Sequence, residues 1–501
     1  MSVSPWPRAL QVATCALIVA ASFGPNAARA QQEQAPLVLA PRPESEWTPE
    51  ERAIRACLDY WGDEGSTARP YEGVGYACGW KAKVGPDFRM RHGHDGQPIP
   101  RDVVVIKSPG TVTMGSTFLQ AAVLLGEPKY LKRAVEVGQL LLVGQTSAGG
   151  WGKELWMGRT EVNTVRTGSG FLNWPRELAD GSRGEDTADL DDRTTSDAME
   201  HLYQLWWITR DQRFLDSYQR ALQMYLAAQE AAGGGFPEQY PADDYRALAS
   251  FFGYTSLTAV RDLKPAYERT GRKEYLDAIV RCADWIVSVR KPGQGWAMRY
   301  DRQGHPAGGR SFEPPGPSTE GTLSAMLTLG VALEYTADPR YYDAIQDAAN
   351  WLRRLPSPGG VHARYYHAEN NRPWFVNGVG EEVRGPRAAR KDYVWVGAWG
   401  KMGIQFARNV AQQENIEPRQ VPEGGDPSFG TRLALPSEVP ALAAKGITVQ
   451  QVLASQDPKG YWLEDVNGSR MMTVAGNCNR VQMLLGELIR KQGGLKNPTP
   501  P

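Results

Sequence analysis

The sequence predicts an all-α protein built from repeated helix pairs, and two observations carry that reading. Tyr130-Leu131, Phe214-Leu215, Tyr275-Leu276 and Tyr341-Tyr342 each open an amphipathic segment of similar length. Each follows a charged or proline-containing turn: Glu127-Pro128-Lys129, Asp211-Gln212-Arg213, Arg272-Lys273-Glu274 and Asp338-Pro339-Arg340. Three of the segments then run into a glycine-aromatic turn, Gly149-Gly150-Trp151, Gly234-Gly235-Phe236 and Gly295-Trp296, and the fourth runs into Gly359-Gly360-Val361. A unit of this size cannot bury its own apolar face, so neighbours must stack. No comparable series of alternating strands accompanies the helices. The stack is either an open solenoid or a closed (α/α) toroid. In both, the glycine turns gather at one end, where a polymer can lie across them.

Residues 1–30 read as a secretion signal, with Arg8 as the positive end, an apolar stretch over 12–21 and Ala28-Arg29-Ala30 as an A-x-A-type cleavage site. The apolar run is too short to span a bilayer, so an exported, periplasmic or secreted protein is expected. Residues 31–46, rich in Pro, Gln and Ala, read as a disordered leader. Thr48-Pro49-Glu50-Glu51 is a helix start: N-cap, proline at the first position, then acids. Residues 71–105 have no clear period. Residues 117–125 read as a helix paired with 130–145, and 161–187 as a long polar, glycine-rich loop. Helices resume over 196–208 paired with 213–229, 254–269 with 274–290, and 319–335 with 340–355. In the second helices the apolar residues fall at helical spacing, as in Phe214, Tyr218, Leu222 and Leu226, or Tyr275, Ile279, Ala283 and Ile286. Residues 47–415 thus form the main helical domain and the proline- and glycine-rich 416–440 a linker. Residues 441–501 form a C-terminal helical extension with a further glycine-aromatic turn at Lys459-Gly460-Tyr461-Trp462. Its core is too small to stand alone, so it should pack on the main body.

Lys+Arg and Asp+Glu both total 56, giving zero formal net charge. That argues against wholesale binding to nucleic acid or anionic lipid and leaves a local basic cleft open. The 16 Trp and 20 Tyr supply flat faces that suit sugar rings as well as core. Beyond the signal, four cysteines remain: Cys57, Cys78, Cys282 and Cys478. Cys57–Cys78 is expected as a local disulfide in an oxidising compartment, and Cys282, on an apolar helix face, as a buried thiol. No Cys-x-x-Cys suggests zinc. His92-Gly93-His94 reads as a solvent loop, and the 6 histidines form no catalytic cluster.

Five segments resemble, in order, those of the family 10 polysaccharide lyases, pectate lyases with an (α/α) toroid. Gln145 through Gly149-Gly150-Trp151-Gly152-Lys153 resembles their "Q…GGWPKN" turn, and Asp191-Asp192-Arg193-Thr194-Thr195-Ser196 their "DN-x-ATTT" helix start. Gln229 through Gly234-Gly235-Phe236-Pro237-Glu238-Gln239-Tyr240-Pro241 resembles "Q…GGWPQ-x-YP". The stretch 309–320, with Arg310, Glu313 and Glu320, resembles "ARAYE-x-PSLSG-x-E". His362-Ala363-Arg364, Asn371-Arg372-Pro373 and Lys391-Asp392-Tyr393-Val394-Trp395-Val396-Gly397 resemble "WARFY…NRP-x-F…GY-x-WYG". The resemblance spans roughly residues 114–400.

The resemblance implies a closed toroid and β-elimination on an acidic polysaccharide such as polygalacturonate, by a monomer. In that reaction a base removes the proton beside a uronate carboxylate and the glycosidic oxygen leaves. The proton is removable only when the carboxylate's charge is neutralised by calcium, arginine or lysine. By the same resemblance Arg310 is the Brønsted base and Asp191 and Asp192 hold Ca2+. Lys153, Arg364, Arg372 and Lys391 clamp uronate carboxylates, and Trp151, Phe236 and Tyr240 line subsites. An arginine base needs cationic or dry surroundings, because its ordinary pKa is far above neutrality. Two departures stand out. The family's "ITFND-x-AM" corresponds to Ala249-Ser250-Phe251-Phe252-Gly253-Tyr254-Thr255-Ser256, so Phe252-Gly253 replaces its Asn-Asp. Its "GGWPKN" is Gly-Gly-Trp-Gly-Lys-Glu here. A calcium site of hard oxygen ligands would lose a charged ligand by the first. Two other readings fit the same stack: a hydrolase drawing on Glu238, Asp243, Asp244 or Glu320 as paired carboxylates, and a glycan-binding protein that kept the cleft without the metal.

Overall fold

The structure, a computed structural model, describes residues 39–63, 103–156, 187–357, 360–413, 416–429, 442, 446–466 and 469–491. The signal over 1–30, the loop over 161–186, Cys78 and His92-Gly93-His94 lie outside the described residues.

The loop chemistry of the repeat fixes its antiparallel pairs. Gly126, Arg210, Gly271 and Ala337 each close a helix in the left-handed conformation, with φ of 64, 60, 65 and 51°. The next residue in each case is the N-cap of the following helix. Two of these caps, Asp211 and Asp338, accept from the amide two residues on, and Pro128 and Pro339 start their helices at a position that needs no amide. Such a turn leaves the chain nowhere to go but back along the helix it has just left.

The described residues hold twelve α-helices: α1 Pro49–Asp63, α2 Thr111–Leu125, α3 Pro128–Gly144, α4 Thr194–Thr209, α5 Gln212–Ala231, α6 Thr255–Thr270, α7 Lys273–Ser288, α8 Thr319–Thr336, α9 Pro339–Arg354, α10 Trp399–Ala411, α11 Val449–Ala454 and α12 Val474–Lys491. Even-numbered helices follow one another around the inside in the order α12, α2, α4, α6, α8, α10, and odd-numbered ones lie outside them. This is an (α/α) toroid. Tyr130, Phe214, Tyr275 and Tyr341, which open the outer helices, are all buried.

At the other end of each pair the glycine-aromatic turn repeats one set of bonds. The indole N–H of Trp151, Trp296 and Trp462 donates to the carbonyl of Leu141, Ile286 and Val452, ten residues back in the preceding outer helix, at 2.8 Å each. The amides of Trp151, Phe236, Trp296 and Trp462 donate to Thr195, Ser256, Thr322 and Asn477, near the head of the following inner helix. Gln145, Gln229 and Gln456 donate to their own glycine turns and also to Ser217, Ala278 and Ala53 in the next outer helix. The last of these clamps joins the C-terminal unit, α11 and α12, to α1. The glycine before the aromatic has no room for a side chain: a Cβ on Gly235 would lie 2.7 Å from Trp285 and 2.8 Å from Ala249.

Short strands tie successive turns together. β1 Val103–Val105 pairs with β2 Glu154–Trp156, and β3 Ala188–Asp189 with β4 Gln239–Tyr240. β5 Ala249–Ser250, β6 Arg299–Tyr300 and β7 Pro306–Ala307 form a three-stranded sheet in which Ser250 faces Arg299. β8 His362–Ala363 pairs with β11 Val396–Gly397, and β9 Phe375–Val376 with β10 Glu382–Val383.

The far end of the toroid is crossed by residues 416–429, which the sequence reads as linker. Arg419 pairs with Glu268 at 3.0 Å and Glu334 at 2.8 Å, the Phe429 carbonyl accepts from Arg269, and the Pro427 carbonyl from Tyr203. Of the expected Cys57–Cys78 bridge, Cys78 lies outside the described residues. Cys57, Cys282 and Cys478 are buried free thiols, and Cys57 Sγ faces Asn477 across the α1–α12 contact at 3.7 Å. The buried face of α1 turns Cys57 toward α12. No described helix is long and apolar enough to cross a membrane.

Candidate functional site

The glycine turns and the N-terminal ends of α4, α6 and α8 share one end of the toroid, and two charge networks meet there. The first lies at the head of α4. Trp151 O accepts from the Asp189 amide, and Glu238 O accepts from the Leu190 and Asp191 amides, at 2.8, 2.8 and 3.3 Å. Asp192 and Arg193 then adopt left-handed φ of 52 and 63°, turning the chain into Thr194. The Lys153 ammonium sits 3.0 Å from Asp191, 3.4 Å from Asp192 and 3.8 Å from Asp189. Lys107 lies 2.5 Å from Asp192. The two lysines are held side by side because the Ile106 and Lys107 amides both donate to the Lys153 carbonyl, at 2.8 and 3.1 Å.

Burial pushes the Asp191 carboxyl up to about 7 against the pull of Lys153, with Asp192, Asp189 and Glu238 adding to the rise. Asp192 is also raised by burial, but Lys153 and Lys107 outweigh this and hold it down at about 2. Burial alone would strip the Lys153 proton, yet Asp191, Asp189 and Asp192 keep its pKa above the ordinary value.

The second network lies at the heads of α6 and α8. Arg299, fully buried, donates to Glu238 at 2.6 Å and pairs with Glu313 at 3.0 Å. Glu313 also receives Arg310 at 2.7 Å and the Tyr393 hydroxyl at 2.9 Å, and the Tyr365 and Tyr393 hydroxyls share a bond of 2.9 Å. Arg364 pairs with Glu320 at 3.0 Å and stacks 4.4 Å from the Tyr393 ring and 4.8 Å from Trp399. Phe252 lies between two guanidinium groups, 5.0 Å from Arg299 and 5.0 Å from Arg310. The Gly253 amide bonds Glu320, and the turn Phe252–Tyr254 packs on the turn Asp191–Arg193. Phe252-Gly253 is therefore the seam between the networks.

Of the residues expected from sequence, Arg310, Arg364, Lys153, Asp191 and Asp192 come together around this seam. Arg372 does not: it is exposed and pairs with Glu382 at 2.6 Å. Lys391 is exposed and donates to the Arg387 carbonyl. Trp151 and Phe236 are fully buried, so they are core and not subsite walls, and no ring face is left open to a sugar. Tyr240 is half-buried on β4 beside Gln239, whose amide reaches Asp189 at 2.7 Å.

Two expected roles, the base and the calcium ligands, stand against these surroundings. A base must be free of its proton, and burial alone would help Arg310 lose it, but Glu313 overcomes that and holds Arg310 above its ordinary value. Arg310 is a cation here. Nor do the residues fit calcium. Two ammonium groups already occupy the aspartate cluster, Gly253 offers no side-chain oxygen, and no group of three His, Cys, Asp or Glu side chains is arranged to hold a metal ion among the described residues. Sequence reasoning passed over Lys107 and Arg299, which stand in no motif, and gave Glu313 and Tyr393 no role although both fall inside quoted ones.

No family model and no curated protein matches this chain. Among solved structures it is similar to the family 10 polysaccharide lyase from Cellvibrio cellulosa, at 18% identity over 55% of this chain and 91% of that one, with a TM-score of 0.42. It is also similar to cellobiose 2-epimerase from Bacillus thermoamylovorans, at 11% identity over 88% and 99% with a TM-score of 0.40. A GH76 α-mannanase from Bacteroides thetaiotaomicron gives 10% identity over 89% and 95%, also with a TM-score of 0.40. At such scores these likenesses assign neither family nor activity.

Proposed function

We propose that this protein is a carbohydrate-active enzyme that cleaves an acidic, uronate-containing polysaccharide such as polygalacturonate by β-elimination. The observation that supports the reading most is the meeting of Arg310 and Arg364 with the Lys153–aspartate cluster at one end of the toroid, from motifs far apart in the chain. Arg310 keeps 39% of its side chain exposed although its Nη2 is held by Glu313, so part of its guanidinium can meet a carboxylate from outside. Arg364, mostly covered and stacked on Tyr393, adds a second positive charge. The N-terminal ends of α4, α6 and α8 add partial positive charge on the same side. Together these groups lower the cost of the carbanion-like charge that develops when the proton beside the carboxylate is withdrawn. In this proposal Arg310 neutralises the uronate rather than serving as base. The signal-like first 30 residues accord with a polymer met outside the cytoplasm.

A hydrolase on the same stack needs a pair of carboxylates free to act. Glu238 and Glu313 share Arg299, Glu320 pairs with Arg364, and Asp244 with Arg246. Asp243 is exposed and keeps the hydrolytic reading open beside elimination. The purified full chain should raise ultraviolet absorbance, the mark of a 4,5-unsaturated uronate, on at least one polymer of a uronate panel. Reducing ends without absorbance would sink elimination in favour of hydrolysis. Binding without either product, by folded protein, would leave only glycan recognition.

A further inference from the structure

We infer that the aspartate cluster at the head of α4 carries its own cation, Lys153 with Lys107 beside it, in place of a divalent metal ion. The Lys153 ammonium stands within 3.0 to 3.8 Å of carboxylates from Asp189, Asp191 and Asp192, and Lys107 takes the outer oxygen of Asp192 at 2.5 Å. Two ammonium groups bring the charge of one divalent ion.

Their placement is built in. The Lys153 amide donates to Asp189 at 3.2 Å while its carbonyl receives two amides from the end of β1, so the main chain fixes both lysine stems. Only 20% of the Lys153 side chain and 10% of the Lys107 side chain remain exposed. A lysine is buried charged only where carboxylates meet it, and here the match is mutual: removing either partner would leave the other unpaired.

The turn facing the cluster carries no carboxylate for a metal. Asp191-Asp192-Arg193-Thr194-Thr195 and Phe252-Gly253-Tyr254-Thr255-Ser256 are the same local structure, each with two left-handed residues before its inner helix. Thr195 and Ser256 take equivalent amide bonds. The acids occur in one copy and not in the other. At Gly253 an added Cβ would approach only the Asp192 amide, at 3.9 Å, so space for a ligand-bearing side chain exists and is left open. The cluster thus has a cation of its own on one side and no charged donor on the other.

This concerns the site of the proposed function but stands apart from it, because the readout is metal binding and not turnover. Calcium titration of the full chain by calorimetry is paired with terbium luminescence and with Tm measured in calcium and in chelator. Wild type is expected to show no saturable site and the same Tm in both. Lys153→Met should create one site, with calcium held in the 10⁻⁴–10⁻³ M range of about the weakest all-oxygen sites, and a Tm raised by calcium. Lys153→Arg, which keeps the charge, should create none. If Lys153→Met does not fold, Lys153→Gln, also neutral and able to reach the carboxylates with its amide, gives the same reading. Saturable one-to-one calcium binding by wild type, abolished by Asp192→Asn, would overturn the inference. So would a folded Lys107→Met/Lys153→Met double variant that still takes up no calcium.

Discussion

Glu313 decides what the neighbouring arginines can do. One of its oxygens takes Arg310 and the Tyr393 hydroxyl, at 2.7 and 2.9 Å; the other takes Arg299 and the Arg310 amide, both at 3.0 Å. Burial alone would raise its pKa, but Arg299 and Arg310 overcome that and keep it below the ordinary carboxylate value, hence charged. A charged Glu313 keeps Arg310 charged. Glu313→Gln therefore separates two roles for Arg310. As a neutralising cation, Arg310 loses its anchor, and the initial rate of absorbance gain on the active uronate polymer should fall by about tenfold or more. As a base it would lose the partner that holds its proton, and the rate should rise. Arg310→Lys, which keeps charge without the fork, is expected to retain more activity than Arg310→Ala in the same assay. The residues legible in the sequence were those whose neighbours in the chain are also their neighbours in space: Asp191 and Asp192 before a helix start, Arg310 three residues from Glu313. Lys107 and Arg299 were hidden because their partners come from strand pairing, β1 against the Lys153 carbonyl and Ser250 opposite Arg299. Trp151 and Phe236 misled for the opposite reason. An aromatic after a glycine turn looks the same whether its face meets a sugar or the next helix.

Among the elements, α4 does two jobs. Its head carries the aspartates, and its middle carries His201, which is fully buried and bonded to the Ala134 carbonyl of α3 at 3.2 Å. Gly115 of α2 is flush against the ring, where a Cβ would lie 2.9 Å from it. Burial drives the His201 pKa down to about 4 and the Ala134 bond only partly opposes it. The folded value is thus below the unfolded one, so between the two the unfolded chain binds more protons. His201's own contribution to stability is complete above about pH 6.5, falls as pH drops toward 4 and is then level, the loss from this group being about 3 kcal/mol. Asp191 and Asp262, raised by burial to about 7, titrate in the opposite sense over the same window, so the test is a difference: the urea-unfolding free energy of His201→Gln minus that of wild type should rise by up to about 3 kcal/mol as pH drops from 6.5 to 4. An unchanged difference in a folded variant would assign the loss to other groups. The helices themselves were legible because each pair repeats its start, its apolar spacing and its turn. What the repeat did not reveal was that three glutamines bind each turn to the next outer helix, since a glutamine among polar residues carries no signal until its partner carbonyl is known.

At the scale of the molecule, the last unit of the chain sits beside the first. The C-terminal unit, α11 and α12, precedes α1: α12 packs on α1 and α2, and Gln456 donates to the Ala53 carbonyl at 2.8 Å as Gln145 and Gln229 do to their own next neighbours. Trp462, Val474, Val481, Leu484 and Leu485 of this unit are buried. Burying such side chains contributes roughly 1.5 to 3 kcal/mol each, so together they match or exceed the ~5–15 kcal/mol net stability of an ordinary protein. The effect should reach the distant site, because α2 also packs on α4, whose head holds Asp191 and Asp192. A chain ending at residue 445 is therefore expected to lose cooperative unfolding and near-ultraviolet circular dichroism together, and with them uronate binding. It should keep much of its helical signal, since the antiparallel pairs are closed by local caps. A truncated chain that melts cooperatively with an unaltered near-ultraviolet spectrum would show instead that α1 to α10 hold the cleft without the unit that joins the two ends of the chain.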